Sequence, residues 1–531
     1  MEKNHTTELG QLLEQASYNI ASYDQLEDSS KHEQTVHVQN VANALLFAYE
    51  QLRNASENIE DHLLVQKAIL RFYRRNLSFT TNKMPTGLGT ELIIELTQVE
   101  YLQNDTIPLS SVTKMDEMIT SYYELFWMVR KQYPSLPVQR VEKWILEILS
   151  VKSEQIFNNP IRILSFARFA HSHFTKLISY DHVITSGTPI EKADYPTLLY
   201  ISIHKALLKS DDANVRSELQ DLYAVLPTAA SQFVEFNTKY DNLVGLDATT
   251  KLSRLILKNA APLKIIRSTF FDSKEDYRAV DLSKKDRLTS AINTDIDMEY
   301  QSVRKSVNVG IVKSIIFLLI TKALIGLLIE IPYDMLLTGS IVIVPLLINL
   351  LFPPVFLAVT ALTFKLPGDA NKLALATYIQ SMLYDEPSIP RPTLKYTEPV
   401  SNTPLFNILY VAVFIGAFYL VGSRLAALNF NLAQGFIFFI FLSTASFLGY
   451  RLTLQIKELE LINTSQGFIA LIRDFLYAPF IFLGKRISYR FGQLNLIAQI
   501  LDTVIDLPLK TTVRLVRQWM IFLNNKKDEL L

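Results

Sequence analysis

A chain of 531 residues is too long for one ordinary hydrophobic core, so two or three folding units are expected. The net charge is zero but unevenly spread: residues 1–300 hold 32 Lys and Arg against 39 Asp and Glu, whereas residues 301–531 hold 20 against 13. An acidic first half argues against a nucleic-acid partner, because phosphate binding needs a basic surface. The absence of cysteine excludes disulfides, thiolate catalysis and cysteine-ligated zinc.

The start, MEKNHTTELGQLLEQ, is polar and lacks the apolar core of a secretory signal. The first apolar helix is therefore expected to act as the insertion signal. From there to residue 305 apolar residues recur at threes and fours, as in Val141, Trp144, Ile145, Ile148 and Leu149. Punctuation falls at Met84-Pro85-Thr86-Gly87, Tyr133 to Pro137, Asn158-Asn159-Pro160 and Ser186 to Pro189. Alternating strand patterns are almost absent, and no fixed repeat is visible. The expectation is a soluble all-α domain over 1–305, with ten to twelve helices.

Four features of this half invite a functional reading. Arg71, Arg74 and Arg75 share a helix face and are a candidate patch for an anionic ligand; the alternative is a solvated, salt-bridged face. His171 and His173, with His182 and His204 further on, are of the right type for a metal. Positions two apart on a helix point in nearly opposite directions, which speaks against a shared ion. Gly87-Leu88-Gly89-Thr90 is like a fragment of a phosphate loop, but it lacks the Lys-Ser/Thr pair and a preceding strand. Tyr122, Tyr123, Phe126, Trp127 and Tyr133 form an aromatic run that reads first as core and second as a partner surface.

The second half holds four segments of spanning length: 307–331, 336–364, 404–423 and 432–450. A hydrocarbon core of about 30 Å needs about 20 helical residues, which each supplies. They define a transmembrane region over 306–452 with an internal loop at 365–403. Lys and Arg fall before the first span, in 365–403 and after the fourth span, and are nearly absent from the other two loops. By the positive-inside rule, both termini and the middle loop are expected in the cytoplasm. The second segment is long and broken by Pro345, Pro353 and Pro354, so it reads either as one kinked helix or as a re-entrant pair.

Charge inside an apolar span is the site-like signal. Lys322 and Glu330 lie in the first span, Asp334 follows Glu330 by four, and Asn349 is a polar position on the second; together they are a candidate intramembrane site. Lys322 and Glu330 are eight apart, about 12 Å of α-helical rise, so direct pairing is not expected. Ala412 and Gly416, and Ala445 and Gly449, have the spacing of close helix contacts and predict a third–fourth hairpin. In the tail, 453–531, the positions Asp502, Asp506, Lys510, Arg514 and Gln518 make one polar stripe. This predicts amphipathic helices lying in the membrane interface, with packing on the N-terminal domain as the alternative. The terminal KKDELL carries Leu531 after the letters KDEL, so no retention signal is read there.

The segment from Phe317 to Pro354, with ITKALIGLLIEIPYD and PLLINLLFPP, resembles part of an uncharacterised group of multi-helix membrane proteins in bacteria with reduced genomes. The resemblance implies architecture and a bacterial inner membrane; it implies no activity, cofactor or site residue. No nucleophile, base or metal set stands out, so catalysis is not expected and no cofactor is called for. The expected role is a membrane-anchored scaffold or adaptor that meets the bilayer and a protein partner or second copy. The alternative is a transporter, channel or lipid-handling protein using Lys322, Glu330 and the proline-broken span.

Overall fold

Proline and capping residues set the helix boundaries in the computed structural model of the chain. It describes residues 6–29, 33–38, 61–80, 86–180, 190–272, 282, 284–339, 343–385, 404–461 and 477–488, with scattered positions in 46–54 and 512–523. Among these there is no strand, only helices and two isolated bridges.

The helices run α1 (Glu8–Ser29), α2 (Leu64–Asn76), α3 (Leu88–Gln98), α4 (Leu109–Gln132), α5 (Val138–Phe157), α6 (Ile161–Leu177), α7 (Tyr195–Ile203), α8 (Asp212–Leu222), α9 (Ala230–Gly245), α10 (Asp247–Lys258) and α11 (Ala261–Ile266). Pro108, Pro137 and Pro160 stand just before α4, α5 and α6, where a missing N–H removes no helix bond. Gly87 enters α3 with φ 73°, so the glycines of the phosphate-loop-like fragment serve a helix start. The second half gives α12 (Lys285–Ile325), a π-helical turn Gly326–Glu330, α13 (Ile331–Thr338), α14 (Ile343–Ala361), α15 (Asp369–Leu383), α16 (Pro404–Ala427) and α17 (Leu432–Lys457).

The chain forms two compact units, one built mainly from residues 12–256 and the other from 257–270 and 281–494 with residues 1–11. Residues 285–305, which hydropathy places in the soluble domain, therefore group with the membrane helices. The first unit is organised by α2, α4 and α5, whose apolar faces meet in a core containing Ile69, Met115, Ile119, Phe126, Trp144, Ile148 and Phe233. Tyr122, Tyr123 and Phe126 belong to this core, and Trp127 and Tyr133 pack partly buried against it. At roughly 1.5–3 kcal/mol per buried large apolar side chain, such a core stabilises the unit chiefly by removing surface from water.

Four helices of the second unit are long and apolar enough to cross a membrane: 285–336, 343–361, 410–427 and 432–457. The molecule is thus an all-α integral membrane protein with a large soluble helical region. The second segment is one helix, α14, with Pro353 and Pro354 inside it. The preceding helix α13 closes at Gly339, whose φ of 67° is a left-handed C-cap. Leu318, Leu357, Ile437, Phe441 and Ala445 form an apolar layer shared by α12, α14 and α17.

The small-residue hairpin is corrected. A Cβ at Gly449 would stand 3.3 Å from Leu357 Cδ1 of α14, and among the described residues nothing lies within 4 Å of a Cβ at Gly416. Helix α16 instead meets α17 through stacked rings, Phe418 on Phe439 with centroids 5.0 Å apart. At the other end of the spans, Asn371 of α15 donates to Tyr300 Oη (2.7 Å) and to the Leu459 carbonyl (2.8 Å), and its Oδ1 accepts from Leu461 N (2.8 Å). The polar stripe of the tail, Asp502, Asp506, Lys510, Arg514 and Gln518, lies outside the described residues. Of the tail, Leu515, Val516, Trp519 and Phe522 are described and exposed, at helical spacing.

Candidate intramembrane polar site

Leu318, Lys322, Gly326, Glu330 and Asp334 are all buried and all four residues apart. On an unbroken α-helix each step of four drifts by about 40°, so five such positions could not keep one heading. The π-helical turn Gly326–Glu330 removes that drift. Pro332 lies just beyond it, and its ring would press on the preceding turn of a regular helix; the widened turn relieves that contact.

This geometry overturns the expectation that Lys322 and Glu330 are too far apart to pair. With both side chains on one heading, the Lys322 ammonium donates to Glu330 Oε1, and the two groups are 1 % and 0 % exposed. Asn349 Nδ2 donates to the same oxygen at 2.9 Å and to the Gln434 carbonyl at 3.1 Å. Because both acceptors lack protons, the orientation of the Asn349 amide is fixed. Lys322 Nζ also stands 5.0 Å from the Phe441 ring centroid.

Asp334 is held one turn further out. Asn431 Nδ2 donates to its Oδ1 at 2.7 Å and Gln434 Nε2 to its Oδ2 at 2.8 Å. The same two residues form the capping box that starts α17, with Asn431 Oδ1 accepting from Gln434 N and Gln434 Oε1 accepting from Asn431 N. Lys322, Glu330, Asp334 and Asn349 are therefore one connected cluster, completed by Asn431 and Gln434. The sequence reading missed those two; the signal was an Asn-x-x-Gln box opening an apolar run. Two buried oxygens of the cluster, Glu330 Oε2 and Asn349 Oδ1, accept no hydrogen bond from the described residues.

In the soluble unit, Arg71 pairs with Glu50, and Arg75 donates to both oxygens of Glu95 at 2.7 and 2.6 Å, while Arg74 is exposed. His171 lies against the Pro196 carbonyl at 3.2 Å, His173 is buried against Phe174, and His182 is outside the described residues. Among the described residues no three His, Asp or Glu side chains are grouped to hold a metal ion. A pocket of about 320 Å³ is lined by Thr197, Tyr223, Phe236, Lys239 and Tyr240, and Leu222, Tyr223 and Leu226 beside it are more than half exposed.

Compared with family models, curated proteins and solved structures, the chain matches none of them. Fold and site together define a polytopic helical membrane protein with a hydrogen-bonded polar cluster between three of its spans.

Proposed function

We propose that the chain is a membrane-anchored helical adaptor, holding its soluble unit at the cytoplasmic face of a bacterial inner membrane to bind a protein partner. The observation that carries this reading is that each charged group of the intramembrane cluster meets a partner within the protein. Lys322 is answered by Glu330 and Asp334 by two amides, so the charges tie α12 to α14 and α17. The clustering of Lys and Arg in 365–403 and around the outer spans supports the orientation. The exposed row Leu515, Val516, Trp519 and Phe522 supports a tail that lies on lipid.

On this reading the pocket at Tyr223 and Phe236 receives an apolar side chain of the partner. A photo-cross-linking amino acid at Leu226 in cells should give one discrete adduct, and the same residue at exposed Tyr18 should give none. Equal and diffuse labelling from both positions would sink the adaptor reading.

A second reading, cation transport, is favoured by Glu330 Oε2 and Asn349 Oδ1, the two buried oxygens without a donor. Proteoliposomes containing the full chain, assayed for Na⁺, K⁺ and H⁺ movement, separate the two. The adaptor reading expects the permeability of empty vesicles. A flux in the parent chain that is abolished in the compensated variant Lys322→Met with Glu330→Gln would establish the second.

A further inference from the structure

A cluster in the soluble unit has an arrangement that anchoring does not require. His204 opens a π-helical turn, His204–Leu208, at the end of α7, and its imidazole is fully buried. Its Nδ1 is 3.2 Å from Ser210 Oγ. On the other side of the ring, Glu218 Oε2 of α8 lies 3.0 Å from Nε2, at an angle too oblique for a full hydrogen bond. Tyr200 Oη donates to the same carboxylate oxygen at 3.3 Å. Carboxylate, imidazole and hydroxyl thus stand in series.

The protonation pattern follows from the partners. An ionised carboxylate only accepts, so it favours the ring proton on Nε2 and leaves the Nδ1 lone pair facing the serine hydroxyl. The backbone presents that hydroxyl. Lys209 has φ 52° and ψ 30°, a left-handed conformation uncommon for a residue with a side chain. It turns the chain so that Ser210 N donates to the His204 carbonyl at 3.3 Å and Oγ comes back over the ring. Ser210 is half-buried whereas His204 and Glu218 are buried, so the hydroxyl is the solvent-facing member.

Ser210 also sits at the N-terminus of α8. Asp211 caps that helix by accepting from Asn214 N at 3.0 Å. The N–H groups of Asp212 and Ala213, in the first turn, have no acceptor within the helix. They offer fixed partial positive charge next to the serine.

We propose that Ser210 is a nucleophile for acyl transfer, with His204 as its base and Glu218 as a positioning residue, and that the substrate class is a small carboxylic ester. Ser210 Oγ bonds to the acyl carbon while its proton passes to His204 Nδ1. The C–O bond to the leaving alcohol breaks, and that alcohol takes the proton from His204. Water, deprotonated by the same nitrogen, then attacks the acyl-serine and releases the acid and the free hydroxyl. The oblique Glu218 approach tightens as the imidazole acquires charge.

The test uses the full chain in detergent micelles and a fluorophosphonate probe, with the adduct mapped by peptide mass spectrometry. We expect labelling at Ser210 approaching one per chain, lost on prior heat denaturation and in Ser210→Ala. Glu218→Gln should slow labelling at least tenfold with the thermal midpoint little changed, and Glu218→Asp should restore part of the rate. His204→Gln should slow it by about 10²–10⁴-fold, the usual contribution of a general base. No adduct at Ser210 in the folded wild-type chain overturns the proposal, and so does an adduct that forms equally fast in Glu218→Gln.

Discussion

A lysine in the middle of a membrane helix persists only where its charge is answered at close range. Lys322 meets that condition through Glu330, so the two residues should not behave independently. Lys322→Ala alone leaves a buried carboxylate uncompensated and should destabilise the spans by about 3–5 kcal/mol, the usual consequence of breaking a buried pair. Replacing both, as Lys322→Met with Glu330→Gln, should recover most of that loss. Thermal unfolding in detergent checks it, and a double variant as weak as the single one would contradict the pairing.

Two residues of the soluble unit set opposite pH limits on its stability. Burial pushes the Glu154 carboxyl up to about 7, against the hydrogen bond from Asn158. The folded state therefore binds its proton more tightly than the unfolded state, and that stabilisation, full below about pH 4.5, is lost as pH rises through 7. Burial pushes His173 down to about 4, so the folded state prefers it neutral. Its contribution is present above about pH 6.5 and is lost as pH falls through 4. Unfolding by urea should show the chain losing stability through Glu154 between pH 5 and pH 8, and Glu154→Gln should lack that contribution.

At the level of elements, the π-helical turn and the close approaches are the informative places. Deleting Leu327, an exposed residue within the turn, should restore regular helix and leave Glu330 and Asp334, then seven and eleven positions from Lys322, on the Lys322 face. Such a chain should keep the pair and unfold like the parent chain rather than like Lys322→Ala. Glycines give a graded comparison. A Cβ at Gly484 would stand 2.1 Å from the Ser443 carbonyl oxygen and 2.7 Å from Phe447 Cβ, both hard contacts, whereas Gly416 faces open space. Gly484→Ala should therefore lower the thermal midpoint markedly and Gly416→Ala should leave it within error.

Helix starts and stops were legible in the sequence because proline and capping residues act over three or four positions. Lys322, Glu330, Asp334 and Asn349 were legible because a charge or an amide is conspicuous in an apolar run. The pairing of Lys322 with Glu330 was not, because a constant helical pitch was assumed across Gly326 and Pro332. The Ser210, His204 and Glu218 series was hidden for a related reason. A spacing of six puts His204 and Ser210 on different faces of a regular helix and Glu218 lies on the next helix, so only a π-helical turn followed by a left-handed Lys209 brings them together.

At the scale of the whole molecule, the absence of native cysteine makes sidedness directly measurable. Ser302 precedes the first span and Leu432, 91 % exposed, begins the fourth. With the proposed orientation, a membrane-impermeant maleimide added to intact spheroplasts should label Leu432→Cys and spare Ser302→Cys until the membrane is opened. The reverse pattern would invert the topology and place the soluble unit outside.

The Asn371 side chain touches three stretches of chain that leave the ribosome far apart in time: Tyr300 before the first span, its own helix between the second and third, and Leu459 with Leu461 after the fourth. That joint stays open until the last hydrophobic segment has entered the bilayer. A nascent chain arrested before residue 459 should hence hold α15 through Asp297, Thr289 and Tyr300 while Asn371 lacks its Leu459 and Leu461 partners, and completion of synthesis should raise the protease resistance of α15. One amide thus reports that membrane insertion is finished.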